Sequence, residues 1–111
     1  MSTMEEKRYR QLVDDAFARI DAAFEEADPD LAESSLSQGT LTITFKNRHR
    51  FIVSPQTPVR QIWVAYLDRA WHLDYQPQSG SWLDDRGQGI DLYRLVEDTT
   101  LQAAGVTVKV A

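Results

Sequence analysis

The hydrophobic residues change period twice along this chain, and those changes constrain the fold more than any motif does. Tyr9, Leu12, Val13, Phe17, Ile20 and Phe24 recur at spacings of three and four, with Ala16, Ala23 and Ala27 on the same side. That is the stripe of a long amphipathic helix. Residues 40 to 45, TLTITF, then alternate strictly: Leu41, Ile43 and Phe45 fall on one face and Thr40, Thr42 and Thr44 on the other, as in a half-buried strand. Leu92, Leu95, Val96, Thr99 and Ala103 return to helical spacing before Gly105, a C-terminal cap residue. Each helix has one apolar stripe and the strand one apolar face, so the economical packing is an α+β two-layer sandwich with both helices on one face of an antiparallel sheet.

The segments between fill in that outline. Ser2-x-x-Glu5 and Thr3-x-x-Glu6 each have the spacing of a capping box. Pro29 cannot continue the first helix, which is therefore expected to end near Ala27 or Asp28. Residues 34 to 39, SSLSQG, read as a polar passage, and KNRHR at 46 to 50 as a turn leading into Phe51-Ile52-Val53. Val59 to Tyr66, Ala70 to Tyr75 and Ser81 to Asp84 are further short strand candidates, and Val106 to Val110 is either a last strand or a tail over the core. The expected sheet has about five to six strands, and 111 residues fit one domain spanning 1–111.

Composition excludes several function classes. With no cysteine there is no disulfide, no thiolate metal site and no persulfide carrier. No apolar run is long enough to cross a bilayer, and MSTMEEKRYR lacks the apolar core of a secretory signal, so the cytoplasm is the expected location. The net charge of −5 is unevenly divided: residues 1 to 39 hold ten Asp or Glu against four Lys or Arg, and residues 40 to 111 hold seven against eight. Such an acidic end repels nucleic acid and anionic membrane and attracts cations or a basic protein surface.

The acids are densest at 24 to 33, FEEADPDLAE, where Glu25, Glu26, Asp28, Asp30 and Glu33 have no Lys or Arg among them. They follow Asp14, Asp15 and Asp21 and sit where the helix dipole is already negative, each costing a few tenths of a kcal/mol, at about 0.3. A calcium loop is ruled out, because Ala32 and Glu33 stand where an EF-hand needs a ligand and a glycine. Two readings stay open: a solvated acidic face, and a surface that binds hard cations weakly without a preformed cage. In VRQIWVA, alternation sends Gln61, Trp63 and Ala65 away from Ile62 and Val64, which leaves Trp63 either a partner-binding anchor or an ordinarily buried ring. His49 and His72 start no motif, and no HExxH, GxSxG or Gly-rich phosphate loop is present.

GTLTITF (39 to 45), PQTPVRQIW (55 to 63), HLDY (72 to 75), the Trp82 strand followed by DDRG, and LVEDTTLQAAG (95 to 105) together resemble the bacterial frataxin family over nearly the whole chain. The resemblance implies an iron-binding adaptor of iron–sulfur cluster assembly, not an enzyme, holding ferrous or ferric iron weakly on an acidic ridge. By position that ridge would be Asp14, Asp15, Asp21, Glu25, Glu26, Asp28, Asp30 and Glu33. It further implies docking on a cysteine desulfurase and its scaffold protein through Glu25, Glu26, Asp28 and Asp30 and through Gln56, Gln61 and Trp63 on the sheet. A monomer is expected, with iron-dependent oligomers as the alternative. A ferroxidase or an iron store acting at the same ridge are the competing classes.

Overall fold

A computed structural model describes residues 4–110 of the chain. Helix α1 (Glu6–Ala23) precedes six strands, β1 (Ala32–Ser37), β2 (Thr40–Phe45), β3 (Arg50–Gln56), β4 (Gln61–Tyr66), β5 (Arg69–Gln76) and β6 (Ser81–Asp84), and helix α2 (Leu92–Ala104) follows. The strands form one antiparallel sheet in chain order. Short connections make this order: Gln38 and Gly39, with φ of 53° and 80°, form the two-residue loop between β1 and β2, the left-handed geometry that suits the twist of a hairpin.

Alternation along each strand builds the core. Leu41, Ile43 and Phe45, Phe51 and Val53, Ile62 and Val64, Trp71 and Leu73, and Trp82 are buried against Tyr9, Val13, Phe17 and Ile20 of α1 and Leu92 and Val96 of α2. The opposite face carries Ile52, Ser54, Gln61, Trp63, Ala65 and His72, all at least partly exposed. The α+β sandwich expected from the sequence is therefore the observed fold. A part-buried tie fastens its layers: the Tyr9 hydroxyl donates to the Gln61 carbonyl at 2.6 Å.

Four details differ from the expectation or refine it. The first helix ends at Ala23 rather than near Ala27 or Asp28. Beyond it the hydrogen bonds reach back three residues, from Phe24 N to Asp21 O, Glu25 N to Ala22 O and Ala27 N to Phe24 O. The last turn has no basic residue, so nothing there offsets the carboxylates against the helix dipole, and the chain tightens before Pro29. The polar passage 34 to 39 contains a strand the sequence hid: in β1 only Ala32 is buried, and pairing from Ala32↔Phe45 to Ser37↔Thr40 forms it rather than any apolar alternation. Val59 belongs to a 3-10 turn with Thr57 and Pro58, and β4 starts only after Arg60, at φ 54°. The C-terminal segment is a tail: Val108 and Val110 are buried, and Val110 N donates to Glu97 Oε2 at 2.8 Å. The capping boxes of Ser2 and Thr3 lie outside the described residues. Gly105 does cap α2 with φ of 68°.

Candidate functional site

Two surfaces gather the residues singled out above. The first is a groove of about 240 Å³ between the end of α1 and strand β1, lined by Asp21, Glu25, Glu33 and Ser34 over an apolar floor of Phe24, Ala27, Pro29 and Ala32. Asp21 comes from the last turn of α1, and Glu33 from the neighbouring edge strand. The Ser34 hydroxyl donates to Asp21 Oδ1 at 2.5 Å and ties helix to strand. Among the described residues no Lys or Arg lines the groove, so no basic residue of its lining opposes the negative field of its carboxylates, and that field favours a cation over an anion.

The other ridge residues are distributed around it. Asp28 and Asp30 occupy the connecting loop, where Asp28 Oδ1 accepts from Asp30 N at 2.9 Å, a turn that a short acidic side chain favours. Glu26 is exposed beside them. Asp14 lies two turns before Asp21 on the same flank of α1, given 3.6 residues per turn. Asp15 points elsewhere: it and Arg19 lie close enough to Tyr93 of α2 to act on its hydroxyl electrostatically. Burial pushes that phenol above its ordinary range. Among the described residues no three His, Cys, Asp or Glu converge on one metal-sized point.

The second surface is the outer sheet face. Gln56 pairs with Gln61, Ser54 with Trp63 and Trp63 with His72, so Gln56, Gln61 and Trp63 share that face. Trp63 is half-buried there because its indole stacks on the His72 imidazole, centroids 4.1 Å apart and planes 12° from parallel. Its Nε1 donates to Gln61 Oε1 at 2.9 Å, and Gln61 Nε2 donates to Asp74 Oδ1 and Asp85 Oδ2, both at 3.1 Å. Asp85 Oδ2 also lies 3.9 Å from His72 Nδ1. The network holds the indole in one orientation while leaving an edge accessible, the arrangement of a preformed aromatic anchor. Sequence reasoning gave His72 no special role and did not single out Asp74 or Asp85. The signal was available: with Leu67 and Asp68 as a two-residue loop, the register places His72 opposite Trp63. Leu67 at φ 55° hid it, since an apolar residue with a Cβ is a poor marker of a left-handed turn.

Asp84, at the end of β6, shapes the loop beneath this face. Burial raises its carboxyl, but the N–H groups of Ile90, Gln88 and Arg86 together outweigh that and hold it below the usual carboxylate range. The loop that carries Asp85 is thereby tied to β6.

Known proteins share this fold. A family model described as a frataxin-like domain matches residues 2–106. The iron–sulfur cluster assembly protein CyaY of Pseudomonas aeruginosa is 37% identical over 106 residues, 96% of each chain, and that of Tolumonas auensis 32% over 105 residues, 95% of this chain and 97% of its own. The frataxin of Psychromonas ingrahamii superposes with a TM-score of 0.88 at 27% identity, covering 97% of this chain and 99% of its own. Trimeric frataxin from Saccharomyces cerevisiae, complexed with ferrous, superposes with a TM-score of 0.62 at 23% identity over 96% of this chain and 91% of its own, a likeness of fold. With the model spanning residues 2–106 and close relatives matched end to end, the chain belongs to the frataxin-like domain family.

Proposed function

We propose that this protein is an iron–sulfur cluster assembly factor that binds iron weakly on its acidic ridge and docks on a cysteine desulfurase and scaffold complex. The observation that carries the reading is the groove between α1 and β1, which is lined by Asp21, Glu25 and Glu33 and, among the described residues, by no basic one. The names of the curated relatives, iron–sulfur cluster assembly proteins at 37% and 32% identity, support the same pathway.

The chemistry follows from the donors. Carboxylates on a solvated edge are hard oxygen ligands that suit ferrous and ferric iron alike, and without a rigid cage they exchange the metal fast. Iron is here a cargo, picked up and released. The same negative field steers the protein to a basic partner surface at a salt-dependent rate. Trp63, held by Gln61 and stacked on His72, presents a rigid aromatic to the scaffold side of that assembly. The loop acids Asp28 and Asp30 and the flanking Glu26, Asp14 and Asp15 extend the field beyond the groove.

Anaerobic titration with ferrous iron, followed by amide NMR, tests the iron half of this reading. Line broadening centred on Asp21, Glu25 and Glu33, and lost when Glu25 and Glu33 are changed to Gln, is the expected result. Broadening elsewhere, with the groove amides unmoved, would overturn it.

A further inference from the structure

We infer that the partner segment seated on the acidic groove is extended and basic, and that it joins the sheet as a seventh strand along β1. The inference rests on the proposed docking surface and specifies how the partner lies on it.

Among the described residues, the two edges of the sheet differ in cover. At the β6 edge, Leu83 bridges Asp91, and Asp84 N donates to the Ile90 carbonyl. At the β1 edge the described contact is at the start of the strand, where Ala32 N donates to the Asp28 carbonyl; the Leu31 carbonyl accepts from Lys46 N on the β2 side and leaves the outer edge uncovered. The pair Ser37↔Thr40 closes a two-residue loop, so Ser37, Ser35 and Glu33 direct their main-chain groups toward β2. The alternation of an antiparallel ladder then leaves the N–H and C=O of Ser34 and Leu36 on the open edge.

Edges of this kind are usually protected by a lysine, a proline, a bulge or a covering element. β1 reads AESSLS. It carries none of the first two, and its one large apolar side chain, Leu36, is half exposed at 51%. Asp21 and Glu25 of the groove lie on the helix side of β1, the side to which the Ser34 hydroxyl turns to bond Asp21, and Glu33 lies on the other, so a strand pairing with Ser34 and Leu36 would bring side chains of either face near a carboxylate. That complementarity selects Lys or Arg. A second copy of this chain is disfavoured, because antiparallel pairing of β1 with itself brings together two N-terminal thirds that each hold ten acids against four bases. Strand addition supplies main-chain hydrogen bonds for affinity and leaves specificity to the side-chain pockets.

The probe is an acetylated, amidated peptide of alternating arginine and valine, compared with one of equal charge in which proline replaces valine. Leu36→Pro removes the outward N–H while leaving the ladder to β2 intact, since proline is tolerated on the solvent side of an edge strand. The native protein should bind the valine peptide at least tenfold more tightly than the proline peptide, and Leu36→Pro should erase that preference. Equal binding of the valine peptide by native and Leu36→Pro proteins, weakened in both by Glu25→Gln with Glu33→Gln, would overturn strand addition and leave acidic docking standing. Self-association of the native chain that Leu36→Pro abolishes would assign the edge to a second copy and also overturn the proposal. Should Leu36→Pro fail to fold, exchange of the Ser34 and Leu36 amides in the native protein decides: tenfold slowing on peptide addition supports the seventh strand, and unchanged exchange overturns it.

Discussion

The Trp63 indole and the His72 imidazole lie face to face across β4 and β5, 4.1 Å between centroids. Neither ring owes its place to the hydrophobic core. Each is on the outer face, and the cross-strand register alone brings them together. Such a pair contributes about 0.5–1 kcal/mol beyond the area it buries, so His72→Ala should lower stability by that amount and free the indole to rotate. With its stacking partner removed, the Trp63 indole in His72→Ala should be more open to a collisional quencher than in the native protein. Difference spectra against Trp63→Phe isolate the signal from Trp71 and Trp82.

Tyr9→Phe should destabilise the protein by about 1 kcal/mol, because it leaves the part-buried Gln61 carbonyl without its donor. Burial also pushes the Tyr9 phenol above its ordinary value of 10.0. A raised folded-state value means that stability is fully present below the unfolded value and is lost as pH rises through the folded one. Chemical denaturation between neutral pH and alkali should show that loss in the native protein and a shallower one in Tyr9→Phe. Tyr93, raised by the same cause, accounts for part of what remains.

The Asp84 carboxyl works in the opposite direction. Its folded-state value is lowered, so its contribution is present above the unfolded value and lost as pH falls through the folded one. Asp84→Asn should lower the denaturation midpoint at neutral pH, where the backbone N–H groups of Arg86, Gln88 and Ile90 lose their charged acceptor. The gap between variant and native protein should narrow in acid, which urea titrations at a series of pH values would measure.

The parts of the fold that read directly from the sequence are those in which side-chain burial sets the structure. The stripe from Tyr9 to Phe24, the alternation from Thr40 to Phe45 and the cap at Gly105 each announce themselves because one face must leave water. β1 did not, since its strand character comes from backbone pairing imposed by the Gln38-Gly39 loop and not from AESSLS itself. The candidate site divides the same way. The carboxylates were visible as a run, but the groove depends on Glu33 lying on a strand beside Asp21, and a segment read as polar passage could not place it there. Trp63 was assigned to its face by alternation, whereas the His72 stack and the Gln61 network depend on a register that one left-handed leucine concealed.

Binding of the native protein to the cysteine desulfurase at two ionic strengths tests the central claim most directly, alongside a folded variant with Glu25, Glu26, Asp28 and Asp30 changed to Lys. The account predicts native binding that weakens as salt rises and vanishes in the variant, because the acidic ridge is the docking surface. A variant that binds as tightly as the native chain at both ionic strengths would contradict it.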